Sequence, residues 1–254
     1  MLTIIAVGAA CVALAWQNIA DILSLWVVLV AASTGFEAKL YALPHVGNLH
    51  LTVLLSALVV SASALLMVPF SGTATAEIAL SSLLFLVPGI ILIISGLDIV
   101  RDHTGGGIAR LTSVLAQLLV ITGVLLIPLS MIATETGGPV IFTHTLTGIL
   151  ISIVAAGVAA LGFLLMMNIH VPPWRDVSSA GGAARVIREI AILDGLDPIL
   201  SIFITMGAVT FLAFGIGRIT HVTEVVIAVA AGQQMIPGLA AIRGFNSLLQ
   251  LTHP

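Results

Sequence analysis

A succession of long hydrophobic stretches, separated by short polar turns, constrains the fold of this chain more than any other sequence feature. A helix that crosses a lipid bilayer needs roughly 20 apolar residues, with a usual range of about 17 to 25. On that criterion the sequence predicts nine spans, at residues 2–16, 20–41, 50–70, 77–100, 107–133, 140–169, 180–194, 198–217 and 222–243. We therefore expect an all-α fold, a polytopic transmembrane helical bundle of about nine spans.

The scarcity of charged residues points the same way. Only 7% of the 254 residues are charged and 59% are hydrophobic, whereas a soluble domain carries roughly 25% charged residues. Because so few charges cannot cover a water-facing surface, the lipid bilayer must cover most of it. The net charge of -3 gives no basis for a nucleic-acid partner, and the single cysteine, Cys11, excludes an internal disulfide.

Signatures of enzymes and of nucleotide binding are missing from the sequence. It contains no His-Glu-x-x-His, Walker A, Gly-x-Ser-x-Gly or dinucleotide-binding pattern. Residues 105–107 are three glycines that we place in a turn between spans, without the preceding strand of a phosphate-binding loop. We predict no enzymatic activity, no cofactor and no metal site. Any active transport must then be driven by an ion or solute gradient.

The distribution of basic residues predicts the orientation of the chain. Threading nine spans places seven of the eight Lys and Arg residues on the side of the N-terminus. They are Lys39, Arg101, Arg110, Arg175, Arg185, Arg188 and Arg218. Positively charged loops stay in the cytoplasm during insertion. We therefore predict a multi-pass protein of the plasma (inner) membrane, with the N-terminus cytoplasmic and the C-terminus outside.

The seventh predicted span differs from the others because it carries charges. Arg185, Arg188 and Glu189 all lie within residues 180–194. Arg185 and Glu189 are four residues apart, a spacing that allows an ion pair on one helical face. A helix lying in the membrane interface is the alternative to a crossing here.

The sequence repeats itself after 149 residues. Pro88-Gly89 and Pro237-Gly238 are separated by this offset, which also aligns the apolar residues 50–60 with residues 199–209. A first unit of five spans, at residues 1–133, forces the second unit, at residues 140–254 with about four spans, to enter from the opposite face. We therefore predict an inverted repeat, an architecture in which transporters bind their solute near the bilayer midplane between the halves.

Each Pro-Gly pair predicts a broken helix in the middle of a span. Proline removes a backbone donor and clashes with the preceding turn, and glycine weakens the helix further. Freed backbone groups are tolerated within a bilayer where they line a cavity, although a simple packing kink is the alternative. Two glutamines just before the second pair also need polar partners at that depth. The predicted substrate-binding residues, placed where the fourth and ninth spans meet, are Pro88, Gly89, Gln233, Gln234, Pro237 and Gly238.

Asp98 is the candidate proton carrier. It follows Gly89 by nine residues, or roughly 13 Å along a helix that rises 1.5 Å per residue. Arg101 and Arg110 lie nearby in sequence. A carboxylate at this depth either forms an ion pair near the interface or carries protons, as acidic residues do in pumps.

The motif around the first break resembles the first membrane half of the threonine/serine exporter family. Leu86-Val87-Pro88-Gly89 is followed by Asp98 and by Gly107-Ile108-Ala109-Arg110-Leu111, which matches a Leu-x-Pro-Gly helix, an aspartate and a Gly-x-Ala-Arg-Leu helix start. The resemblance implies that Asp98 acts in proton coupling, with Arg101 and Arg110 in support.

The second half of the chain resembles the other membrane module of that family. Gly162-Phe163 leads to the turn from Asn168 to Pro172, and Met235-Ile236-Pro237-Gly238 is followed by Arg243. The turn is two residues longer than the Asn-x-Pro pattern of the family. The resemblance implies supporting roles for Asn168 and Arg243.

The resemblance implies export of small amino acids such as threonine and serine, driven by the proton motive force. The alternatives are a dicarboxylate (succinate-like) exporter and a non-transporting membrane subunit of a larger exporter complex. Family members often carry a soluble domain before the first half and one more helix at the end; we expect this sequence to have neither, so that its second repeat lacks a fifth span. We expect the partners to be a small polar metabolite, protons, the lipid bilayer, and a companion subunit or a second copy of the chain.

Overall fold

The computed structural model describes residues 2–16, 22–67, 75–131, 146–167 and 174–233, and these are helical throughout apart from short turns. The helices are α1 Leu2–Trp16, α2 Ile22–Val46, α3 Leu49–Met67, α4 Thr75–Leu83, α5 Gly89–Val100, α6 Thr104–Met131, α7 Leu146–Met166, α8 Trp174–Leu193, α9 Pro198–Thr220 and α10 Glu224–Gln233. Within these ranges there is no strand, so the predicted all-α class is confirmed. Each predicted span corresponds to one helix, except that residues 77–100 correspond to α4 and α5.

Five of these helices, α2, α3, α6, α7 and α9, are long and apolar enough to cross a membrane. The bent pair of α4 and α5 makes a sixth candidate span. The apolar α1 is shorter, and α8 is not among the candidate spans. The chain is therefore a multi-pass membrane protein, while the count of nine crossings stays a prediction.

The described helices form two compact units, one containing α1 and α7 to α10 and the other containing α2 to α6. Helix α1 packs closely along α7, because Gly162 has no side chain where it meets Ala6 and Ala10. By its contacts α1 therefore belongs with the second half of the chain, although the predicted repeat at residues 1–133 includes it. The repeat boundaries themselves lie outside the described residues.

Small side chains allow the helices of the α1/α7–α10 unit to approach one another. Its core contains Ala160, Ala184, Ala213 and Ala230, contributed by α7, α8, α9 and α10, and all four are fully buried. Small residues are favoured at such contacts because membrane helices associate by close packing rather than by a hydrophobic driving force.

The α2–α6 unit is built around the pairing of α2 with α3. A side chain at Gly35 would collide with Val60, so the two helices approach closely at this point. There the Ser56 hydroxyl donates a hydrogen bond to the Gly35 carbonyl oxygen at 2.6 Å. Contacts of α6 with α3, α4 and α5 complete the unit.

One helix boundary agrees with the sequence offset of 149 residues. Helix α3 begins at Leu49, and α9 begins 149 residues later, at Pro198. This agreement favours a repeat, and the bounds of the repeat and its inverted orientation stay predictions.

Candidate functional site

The fourth span is broken at its Pro-Gly pair, as predicted. Helix α4 passes into a 3₁₀ turn at Leu84–Leu86, α5 begins at Gly89, and the two segments are bent by 58°. Because Pro88 has no N–H, the α-helical hydrogen bonds cannot continue through it. Its carbonyl oxygen instead accepts a hydrogen bond from the Leu92 N–H at 3.1 Å and so starts α5.

At the break, backbone groups in the middle of an apolar span form local hydrogen bonds instead of the α-helical pattern. The Val87 N–H donates to the Leu84 carbonyl oxygen at 3.2 Å, and the Gly89 N–H donates to the Val87 carbonyl oxygen at 2.8 Å. The first turn of any helix has N–H groups without an acceptor in that helix, and its amino end carries a partial positive charge. The start of α5 is therefore suited to an anionic or hydrogen-bond-accepting group.

Helix α2 covers the 3₁₀ turn through an aromatic contact. The buried Phe85 ring lies edge-to-face against Phe36, with the ring centroids 5.7 Å apart. The Lys39 Nζ lies 6.0 Å from the centroid of the same Phe85 ring, a geometry that permits a cation–π interaction. The site prediction did not include Lys39, although a basic residue inside an apolar stretch marks a candidate functional group.

Asp98 and Arg110 form an ion pair that joins the end of α5 to the beginning of α6. Their side chains are 23% and 50% exposed, respectively, so the pair lies at the margin of the helical packing. The structure therefore brings together two of the predicted residues. Arg101 is exposed in the turn that follows α5.

The close packing of α6 against α5 explains why the Gly-x-Ala-Arg-Leu motif begins with a glycine, Gly107. A Cβ atom at Gly107 would lie 2.9 Å from the Ser95 carbonyl oxygen and 3.1 Å from the Ile99 amide nitrogen. Helix α6 can therefore pack against α5 only if residue 107 has no side chain. The sequence prediction of a turn at residues 105–107 was wrong, because these glycines belong to the first two turns of α6.

Three buried polar side chains of the α2–α6 unit have atoms without a hydrogen-bond partner among the described residues. They are the Ser61 and Ser81 hydroxyl groups and the Gln117 Nε2, on α3, α4 and α6. Each residue is at most 3% exposed, and the three helices pack against one another. Since an unsatisfied buried polar group costs about 1–3 kcal/mol, these atoms are candidates for contact with water or a polar solute. The site prediction did not include them.

In the other unit, α8 carries a charged cluster. The predicted pair is confirmed, because the Arg185 Nη2 lies 2.5 Å from the Glu189 Oε1 and the two side chains are only 6% and 17% exposed. Arg188 is partly buried, and its Nε has no hydrogen-bond partner among the described residues. Two arginines next to one carboxylate leave the cluster with an excess positive charge.

A groove of about 680 Å³ lies between α7 and α8. Its walls are mostly apolar, with Arg175, Ser178 and Ser179 among the lining residues. None of the predicted substrate-binding or proton-coupling residues lines it, so the groove gives no support to the predicted site.

The second predicted break lies beyond the part of the chain that the structure describes. Asn168, Gln234, Pro237-Gly238 and Arg243 all fall outside the described ranges, and only the backbone of Gln233, at the end of α10, is described. Their contribution to a site therefore stays a prediction.

A comparison with known families identifies the chain. The family described as "Putative threonine/serine exporter" matches residues 1–132, just over half of the sequence. This region contains the broken helix, the Asp98–Arg110 pair and Gly107, and the match confirms the resemblance of the first half. No curated protein and no solved structure matches the chain. The chain belongs to the threonine/serine exporter family.

Proposed function

We propose that this protein is a secondary transporter that exports small amino acids of the threonine/serine type in exchange for protons. Family membership and the membrane helices support an exporter of small polar solutes. The observation that carries the proposal is the 58° break of the α4–α5 span at Pro88-Gly89. A broken span exposes hydrogen-bonding backbone in a bilayer, which is tolerated where it lines a polar cavity.

The chemistry of the break suits a zwitterion. The start of α5 offers N–H groups and a partial positive charge to a carboxylate. The end of the 3₁₀ turn offers carbonyl oxygens to an ammonium group. We further propose that the second Pro-Gly pair, at Pro237-Gly238, contributes in the same way with Gln233 and Gln234. Because the break offers both N–H and carbonyl groups, it suits the two opposite charges of an amino acid better than a dianion such as succinate, which has no ammonium group.

Asp98 is the group that we propose to couple transport to protons. Its partner Arg110 is half exposed, and ion pairs of that exposure contribute only about 0–1 kcal/mol to stability. Protonation of Asp98 therefore breaks the pair at little cost and frees the α5–α6 turn to rearrange. An ion pair that opens easily is suited to a conformational change coupled to protonation, whereas a pair with a purely structural role would be expected to contribute more to stability.

We also propose a cellular location and an orientation for the chain, based on the distribution of its basic residues. The chain lies in the plasma (inner) membrane with its N-terminus in the cytoplasm, since seven of the eight Lys and Arg residues share that side when nine spans are threaded. A companion subunit or a second copy completes the assembly.

Flux measurements on the purified chain in proteoliposomes test the proposal. We expect labelled threonine or serine inside the vesicles to exchange with external threonine or serine, and an imposed pH gradient to drive net flux. Exchange of succinate in place of the amino acids would favour the dicarboxylate alternative. Failure to exchange any of the three solutes would overturn the proposal and favour a non-transporting subunit.

A further inference from the structure

Among the described Lys and Arg residues, Lys39 and Arg188 are the two that are neither exposed nor held in an ion pair. Arg110 and Arg185 are held in ion pairs. Three more basic residues, Arg101, Arg175 and Arg218, are exposed. Lys39 and Arg188 remain; both are partly buried, and the described residues provide neither with an ion pair. Glu189 lies next to Arg188 but forms its ion pair with Arg185.

Lys39 and Arg188 occupy equivalent positions in the predicted repeat. They are separated by 149 residues, the offset that separates Pro88 from Pro237. Lys39 lies on α2 and Arg188 on α8, and the helices that follow, α3 and α9, begin at residues related by the same offset. The same position on the second helix of each predicted repeat therefore carries a basic residue that forms no close ion pair within the described helices.

Lys39 reaches toward the broken helix rather than toward the nearer end of α2. Its Nζ lies 6.0 Å from the Phe85 ring centroid, and Phe85 belongs to the 3₁₀ turn immediately before the break. A lysine that served only as an interfacial anchor would extend its ammonium group toward the polar surface. An ammonium group held inside a membrane span requires an anionic or polar partner.

Neutral hydrogen-bonding groups lie in the interior of neighbouring helices of the same unit. Ser61 lies within α3 at Leu49–Met67, Gln117 lies within α6 at Thr104–Met131, and Pro88 lies between α4 and α5. All three positions lie in the interior of their spans rather than at an end. The Ser61 hydroxyl and Gln117 Nε2 are buried without a hydrogen-bond partner in the described structure.

We propose that Lys39 binds the carboxylate of the exported solute beside the α4–α5 break, and that Arg188 has the equivalent role in the second repeat. Ser61 and Gln117 then bind the hydroxyl group of the solute. This inference rests on the proposed function and specifies it further. The solute must carry a carboxylate, and a small hydroxy amino acid satisfies both the cation and the neutral groups.

The test compares threonine with threoninol, in which a CH₂OH group replaces the carboxylate. Each competes for exchange of labelled serine in proteoliposomes containing the wild type, Lys39→Met, Lys39→Arg or Arg188→Met. Loss of a charged hydrogen-bond partner weakens binding by roughly 10–100-fold. We expect threonine to lose that much affinity in Lys39→Met while threoninol changes little, and Lys39→Arg to keep most of the preference for threonine. Arg188→Met should shift the preference in the same direction.

Arg218→Met is the control, because Arg218 is exposed and stacks on Phe214 with its Cζ 4.4 Å from the ring centroid. It should leave the threonine preference unchanged. If Lys39→Met does not insert stably, Lys39→Gln replaces it, with the same outcomes. An undiminished preference for threonine in both the Lys39 and the Arg188 variants would overturn this inference alone. A wild type that exchanges none of threonine, serine and succinate would overturn the proposed function and this inference with it.

Discussion

The three consecutive glycines at the start of α6 allow a packing contact to be tested against a matched control. A Cβ atom at Gly107 would lie 2.6 Å from the Ile99 Cγ1, 2.9 Å from the Ser95 carbonyl oxygen and 3.1 Å from the Ile99 amide nitrogen. At Gly105 and Gly106 a Cβ atom would meet nothing within 4 Å. The substitutions Gly106→Ala and Gly107→Ala therefore add the same methyl group to the same helix, one in open space and one against the backbone of α5.

The expected difference follows from these distances. Both substitutions gain helix propensity, up to about 1 kcal/mol relative to glycine. Only Gly107→Ala forces α6 away from α5, and overpacking of this kind costs about 1–3 kcal/mol. Since the propensity terms nearly cancel between the two variants, the free energy of unfolding of Gly107→Ala should lie about 1–3 kcal/mol below that of Gly106→Ala.

Thermal or denaturant-induced unfolding of both variants in detergent measures this difference. Gly106→Ala should be as stable as the wild type or more stable, and Gly107→Ala should be less stable than Gly106→Ala. The displacement of α6 should also separate Arg110 from Asp98, so Gly107→Ala should weaken proton-driven flux as well. Equal stability of the two variants would refute the argument that Gly107 is needed for close packing of α5 and α6.

Other predictions concern coupling, binding and topology. Asp98→Asn should keep the fold, because the pair with Arg110 is worth only about 0–1 kcal/mol, but should abolish the pH-gradient dependence of flux in proteoliposomes; unchanged proton-driven flux would remove Asp98 from the mechanism. Gly89→Leu should reduce solute binding and flux in folded protein, because the leucine side chain would occupy the space proposed for the solute at the start of α5; normal flux would show that the solute does not bind at this position. Cysteines introduced near Glu135 or at Pro254 should react with an impermeant reagent from outside; labelling of the C-terminus only from inside would reject nine crossings.

Much of the secondary structure could be predicted from the sequence because a bilayer leaves few alternatives. Backbone groups in lipid must be satisfied within their own segment, so long apolar stretches form helices. The break at Pro88 was equally predictable, since the missing N–H is a covalent property of proline. The Arg185–Glu189 pair followed from spacing along one helix. The resemblance of the second half to the family's other module, up to Arg243, stays a prediction.

The surroundings of the break could not be predicted, because they depend on residues distant in sequence. Hydropathy shows that α2, α3 and α6 are apolar but does not show which faces meet. It therefore did not identify Lys39 beside Phe85, or the buried Ser61 and Gln117. For the same reason the sequence did not show that α1 packs against α7, and the repeat bounds at residues 1–133 and 140–254 stay a prediction.

The sequence by itself thus determined the membrane class, the helices and the location of the first break, since each depends on local composition or on one covalent feature. Only the tertiary structure decided which of three adjacent glycines is packed, which arginine pairs with Asp98, and which cation lies beside the 3₁₀ turn. Those choices depend on how closely separate helices approach. Side-chain volume at a few contacts, such as Gly35 against Val60 and Gly107 against Ser95, sets that distance.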